Sequence, residues 1–121
     1  MTIAKIISGR DPSDIISCDV ATPVVDAVSM LAGKRIGAVP VMKDGKIAGI
    51  VSERDVIYCL AERGQSALDL KVGDIMTSPA VTVEPGTRID DALSLMTRRR
   101  FRHFPVLDGD ALVASSRSAI W

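Results

Sequence analysis

Two rhythms of apolar positions run along this chain. Val24, Ala27, Val28 and Leu31 fall at i, i+3, i+4 and i+7, and Ile89, Ala92, Leu93 and Met96 do the same. That spacing puts each set on one face of a helix. A short apolar segment precedes each helix, Ile15-Ile16-Ser17-Cys18 and Ala80-Val81-Thr82-Val83, and is expected as a strand. After the first helix, Val39-Pro40-Val41-Met42 and Ile47-Ala48-Gly49-Ile50-Val51 flank Lys43-Asp44-Gly45. An Asp-Gly pair between apolar runs predicts a hairpin, since the tight turn needs residues that accept a left-handed backbone. The second half follows the same plan through Phe104-Pro105-Val106-Leu107, Asp108-Gly109 and Leu112-Val113. A further helix is expected from about Glu53 to Arg63 with Gly64 as its C-cap, and Gly64 to Leu70 reads as a linker.

The pattern is an internal repeat. Asp26-Ala27-Val28-Ser29-Met30-Leu31 lies over Asp91-Ala92-Leu93-Ser94-Leu95-Met96, an offset of 91 − 26 = 65. The same offset carries Val39-Pro40-Val41 onto Phe104-Pro105-Val106 and Ser17 onto Thr82; the Asp-Gly pairs match with one residue fewer. Each copy is too small to bury its apolar face alone, so the two are expected to pack together. Lys71 to Met76 leads into copy two, and Thr2 to Ile7 plays a similar part for copy one. The expected division is 1–66 for the first motif with its lead-in and 67–121 for the second, atypical from residue 114.

Composition narrows the class. The 121 residues suit two small lobes sharing a core, and 15 Lys+Arg against 15 Asp+Glu leave a net charge of +0. A protein that coats nucleic acid needs surplus cations, so that class is disfavoured. The 47% hydrophobic and 25% charged content argues against disorder, and with only 3% aromatic residues the core must come from Val, Ile, Leu, Ala and Met. The longest apolar runs, Val56 to Ala61 and Ala38 to Met42, are far below a membrane span, and no signal peptide is read. Cys18 and Cys59 form neither a disulfide framework nor a CxxC pair, which makes a cytoplasmic setting the expectation.

The order strand, helix, strand, Asp-Gly turn, strand, Ser-x-x-Asp, helix resembles the cystathionine β-synthase (CBS) domain family. The matching residues are Val72-Gly73-Asp74-Ile75-Met76-Thr77, Arg35-Ile36-Gly37-Ala38-Val39-Pro40-Val41, Gly49-Ile50-Val51-Ser52-Glu53-Arg54-Asp55 and Arg102-His103-Phe104-Pro105-Val106. The resemblance implies a mixed α/β (α+β) fold of tandem CBS motifs, each a short three-stranded sheet with two helices, packed as a pseudo-two-fold pair. It implies a regulatory module that binds an adenine nucleotide (AMP, ATP, NAD or S-adenosylmethionine) between the motifs, signals by conformational change, requires no cofactor and catalyses nothing. A homodimer and a regulated partner protein are expected; a membrane partner is not. The favoured cleft would use Ser52, Arg54 and Asp55 from copy one with Thr82, Phe101, Arg102 and His103 from copy two. The Asp carboxylate would accept ribose hydroxyls, and the helix start after Ser52 suits a phosphate. The second cleft would use Ser17, Ile36, Gly37 and Ala38, whose small residues leave room for a flat base.

The end of the chain departs from that pattern. The position 65 after Asp55 is Ile120, so the second cleft loses its ribose carboxylate. One choice among the synonymous codons for residues 114–121, gca tcg tct cga tcg gcg att tgg, becomes with one preceding g a reading of Gly-Ile-Val-Ser-Ile-Gly-Asp-Leu, the missing motif. A base lost after the Val113 codon is the working hypothesis, and an authentic, divergent C-terminus is the alternative; a gene sequence in which no one-base insertion near codon 114 restores that frame would refute the first. Copy two is expected to lack a proper last strand and its final helix, leaving apolar surface that favours self-association. Simpler readings stand beside the sharp ones. Ser52-x-x-Asp55 is also a capping box. Arg98 to Arg102 can offset a helix macrodipole rather than bind nucleic acid. His103 has no neighbours at metal-ligand spacing, and Cys18 and Cys59 read as packing thiols. The alternatives are a ligand-free dimerisation module and a nucleotide-processing enzyme built on Arg102, His103 and Asp55; the second is disfavoured because no nucleophile, metal cluster or carboxylate pair is apparent.

Overall fold

The computed structural model describes residue 2 and residues 16–78, 82–99, 105–109 and 111–114. The chain divides into two compact units, Ser17–Ala80 and Met1–Ile16 with Val81–Trp121.

The first unit runs β1 (Cys18–Asp19), α1 (Val24–Lys34), β2 (Ala38–Lys43), β3 (Lys46–Ser52), α2 (Glu53–Arg63), a 3₁₀ helix (Gly64–Asp69) and the short α3 (Val72–Ile75). Its sheet has the order β1-β2-β3, with β1 parallel and β3 antiparallel to the central β2. Central position explains why Ala38, Val39, Pro40 and Val41 are all buried rather than alternating in and out. Pro40 is tolerated there because it faces Ile50, whose N–H and C=O both turn away to Thr77. No ladder bond is forfeited at that pair. Asp44 and Gly45 both have positive φ, 53° and 80°, as a two-residue hairpin turn of the primed type requires.

On α1, Val24, Ala27 and Leu31 are buried and the helix packs on α2 and the 3₁₀ helix. The stretch read as a linker is thus the 3₁₀ helix, with Ala67 fully buried. Val24 N–H donates to Leu70 C=O at 2.8 Å, Val72 N–H to Thr22 C=O at 2.7 Å and Gly73 N–H to Val20 C=O at 3.0 Å. Thr77 then pairs with Ile50 on the outer edge of β3, at 2.8 and 3.0 Å. The segment leading toward copy two is therefore stitched onto copy one.

The second unit contains α4 (Ile89–Arg99), β4 (Val106–Asp108) and β5 (Ala111–Ala114). Val83, Ala92, Pro105 and Val106 are its buried residues among those described. The 65-residue offset reproduces the register of the first unit pair by pair. Cys18↔Val41 becomes Val83↔Val106, Val41↔Gly49 becomes Val106↔Ala114, Met42↔Ile47 becomes Leu107↔Leu112 and Lys43↔Lys46 becomes Asp108↔Ala111. Even the irregularity between Val41 and Met42 recurs between Val106 and Leu107.

Two expectations are corrected by this register. The offset does not slip at the turn: the left-handed Asp44 matches the left-handed Gly109 (φ 63°), not Asp108. Backbone conformation, not the shared Asp-Gly letters, fixes the correspondence. Copy two also begins its last strand, since β5 pairs through Ala114; backbone pairing asks only for an extended apolar run, which Ala111 to Ala114 supplies. Of the first expected strands, Cys18 belongs to β1 and Val83 forms a bridge, while Ser17 and Thr82 lie just outside. Leu93, placed on the buried stripe by its spacing, is 46% exposed. Its counterpart Val28 is only half-buried, so this position is the flank of the stripe in both copies.

Candidate functional site

The start of α2 carries three of the seven residues expected at the favoured site, Ser52, Arg54 and Asp55. Ser52 is the last residue of β3 and the N-cap of α2, with extended backbone (φ −118°, ψ 165°). Its Oγ accepts from Asp55 N–H at 3.2 Å, and its own N–H donates to Asp55 Oδ2 at 2.9 Å. This reciprocal box satisfies donors that the helix itself leaves open. Ser52 Oγ also lies 3.1 Å from Asp55 Oδ2. The other carboxylate oxygen, Oδ1, accepts from Thr77 Oγ1 at 3.2 Å. Asp55 is half-buried, whereas Arg54 beside it is exposed. A carboxylate, a serine hydroxyl, an arginine and a helix N-terminus thus share one corner of the unit.

The residues expected at the second cleft are close by. Glu53 N–H donates to Gly37 C=O at 2.9 Å, and Ala38 pairs with Ser52 in the ladder. Ile36 and Ala38 are buried, Gly37 is half-buried and Ser17 is exposed at the start of β1. The Ile36-Gly37-Ala38 wall and the Ser52–Asp55 wall therefore meet at one helix start. Thr82 is half-buried immediately before Val83. Phe101, Arg102 and His103 lie outside the described residues, as does the tail from residue 115.

An open groove of about 520 Å³ extends from Asp55 along α2, past Tyr58, Cys59 and Glu62, toward Asp74 and Ile75. Carboxylates at positions 55, 62 and 74 outnumber its one cation, Arg63, which disfavours an anion there. On the Ser52–Arg54 side the positive end of α2 and the Arg54 cation stand beside the Glu53 carboxylate. Among the described residues there is no group of His, Cys, Asp and Glu able to hold a metal ion, and no helix is long and apolar enough to cross a membrane.

Thr77 was not among the site residues read from sequence. It stands 22 positions from Asp55, and nothing local marks the pairing. Only its place in the Val72–Thr77 motif singles it out. Cys18 is 8% exposed, and its thiol points at Pro40 C=O, 3.8 Å away. Burial, with a smaller contribution from Asp19, pushes that thiol up to about 11, so it is a packing group and not a nucleophile.

Residues 11–62 and 72–114 each match the CBS domain family. The CBS domain-containing mitochondrial protein CBSX3 of Arabidopsis thaliana is 38% identical over 101 residues, 79% of this chain and 49% of that protein. The chain thus spans about half the length of that relative. A CBS-domain containing protein from Agrobacterium tumefaciens superposes with a TM-score of 0.87 at 28% identity, over 95% of this chain and 91% of the other. CBSX2, solved in complex with AMP, superposes with a TM-score of 0.79 at 27% identity, over 94% and 87%. Two family matches along one chain, together with a strand register that repeats at a fixed offset, lead to a plain conclusion: the chain belongs to the CBS domain family.

Proposed function

We propose that this chain is a regulatory module that binds an adenine nucleotide at the start of α2 and signals by a change of conformation. The observation that carries this reading is the arrangement of Ser52, Arg54 and Asp55. Asp55 offers an acceptor for ribose hydroxyls and is held in place by Ser52, while the Arg54 guanidinium and the positive end of an 11-residue helix suit a phosphate. The AMP complex of CBSX2, a neighbour covering nearly the whole chain, supports the ligand class. The reading assigns the chain no reaction of its own. A ligand shifts a conformational equilibrium only through unequal affinity for its states, so signalling requires that the nucleotide prefer one of them.

Titration calorimetry with AMP, ATP, NAD and S-adenosylmethionine tests the proposal. At least one is expected to bind, and Asp55→Ala is expected to weaken it at least tenfold, the cost of a lost charge-assisted pair of hydrogen bonds, about 1.5–3 kcal/mol. No heat from any of the four, or unchanged affinity in Asp55→Ala, sinks it.

A second reading, self-association, draws on one observation. On α2, Ile57 is 59% exposed and Tyr58 61% exposed, adjacent large apolar side chains on a helix whose Val56 and Cys59 are buried. Such a pair suits burial against a second copy of the chain.

A further inference from the structure

We infer that Thr77 competes with the ribose of a bound nucleotide for Asp55, and so sets both the affinity of the site and its preference for ribo- over deoxyribonucleotides; this rests on the nucleotide reading above. An ionised carboxylate has about four acceptor positions. Ser52 N–H and Ser52 Oγ–H occupy both on Oδ2, at 2.9 and 3.1 Å. Thr77 Oγ1–H takes one on Oδ1, at 3.2 Å. Among the described residues nothing takes the remaining position. A ribose presents two hydroxyl donors, at 2′ and 3′, so engaging both requires one of the present donors to leave.

The three donors differ in what holds them. Ser52 N–H is backbone and cannot turn. Ser52 Oγ is held from the other side by Asp55 N–H at 3.2 Å, and moving it would open the capping box of α2. Thr77 is exposed, and its hydroxyl proton can swing to water for the loss of a single hydrogen bond, with no cap opened. Its backbone need not follow, because both of its main-chain groups are paired with Ile50 and the next residue, Ser78, donates to Ala48 C=O at 2.8 Å. Thr77 is therefore the donor that gives way, and the ligand must displace it. A 2′-deoxyribose brings a single donor, which fits the vacant position with no displacement.

The test compares AMP and 2′-deoxy-AMP by calorimetry on the wild type, Thr77→Val and Thr77→Ser. Thr77→Val keeps the β-branched shape and removes the competing donor. It is expected to bind AMP about three- to ten-fold tighter, the range of one solvent-exposed hydrogen bond, while 2′-deoxy-AMP changes less than about two-fold. Thr77→Ser keeps the hydroxyl and is expected to match the wild type with both. If Thr77→Val melts without a cooperative transition, Thr77→Ala carries the same expectation. AMP affinity that is unchanged or weaker in the hydroxyl-free variant, or a gain shared equally by 2′-deoxy-AMP, overturns the inference while the nucleotide reading stands. AMP binding to neither the wild type nor the variant overturns the inference, and the nucleotide reading falls with it if ATP, NAD and S-adenosylmethionine also give no heat.

Discussion

Adding one methyl group at two glycines should move stability in opposite directions. At Gly49 a Cβ would lie 2.6 Å from the Thr77 carbonyl oxygen and 2.9 Å from Met76 Sδ. The Met76 sulfur is the flexible end of a side chain and can swing aside. The carbonyl cannot, because it accepts from Ile50 N–H at 3.0 Å while Thr77 N–H donates to Ile50 C=O at 2.8 Å. Relieving the contact to an ordinary carbon–oxygen distance of about 3.3 Å means moving backbone by roughly 0.7 Å. That displacement strains or breaks the Ile50–Thr77 pair. Overpacking of this kind costs about 1–3 kcal/mol. Gly33, inside α1, has nothing within 4 Å of the same added atom. Alanine there only improves helix propensity, by about 0.5–1 kcal/mol. Urea denaturation of Gly49→Ala and Gly33→Ala, read against the wild type, should displace the midpoints in opposite senses. In thermal melts the losses and gains should be roughly 4–12 °C and 2–5 °C. Amide exchange at Ile50 and Thr77 should quicken in Gly49→Ala alone. A Gly49→Ala stability within about 0.5 kcal/mol of the wild type would show that the 71–78 segment does not cross β3 this closely, and a loss in Gly33→Ala would contradict the open helix surface.

The Cys18 thiol, raised from 9.0 to about 11 mainly by burial, gives stability a defined pH limb. Below pH 9 it is protonated folded and unfolded, so its contribution is fully present; between about 9 and 11 only the unfolded chain ionises, and stability falls as pH rises. Urea midpoints between pH 8 and 11 should show this decline, and an equal decline in Cys18→Ala would refute its assignment to the thiol. Tyr58→Glu places a charge on the exposed apolar pair of α2 and should lower the sedimentation coefficient of any assembly through that face to the monomer value; equal coefficients for both proteins would exclude the face as an interface.

Much of the fold was legible because its signals are local. The Asp44-Gly45 turn, the Ser52 cap with Asp55 three residues on, and the Gly64 stop each announce themselves within four residues, and α2 spans Glu53–Arg63 as read. The repeat, visible as letters, extends to the hydrogen-bond ladder. Where letters and backbone disagreed, at Asp108-Gly109, the matching dipeptide misled, because either residue type tolerates positive φ. Leu93 shows the limit of periodicity, which finds a stripe but not its edges. In the site, Ser52 and Asp55 were readable as a pair. The use of the second Asp55 oxygen by Thr77, and the arrival of Gly37 C=O at the same helix start, depend on chain segments 22 and 16 residues away. No short-range pattern encodes that meeting.

The two lead-in segments change places in a way that bears on how the chain is made. Lys71 bridges to Pro23, 71 − 23 = 48 residues back, whereas Thr2 bridges to Arg88, 88 − 2 = 86 residues ahead. One compact unit, Ser17–Ala80, is a single uninterrupted stretch; the other joins the first sixteen residues to everything after Ala80. At synthesis rates of about 5–20 residues per second, the partner of Thr2 appears roughly 4–17 s after Thr2 itself. Only in its last 88 − 80 = 8 residues, about 0.4–1.6 s at those rates, is the Ser17–Ala80 unit complete while Thr2 still waits. The ribosome therefore delivers the whole of the Ser17–Ala80 unit before Thr2 can meet Arg88.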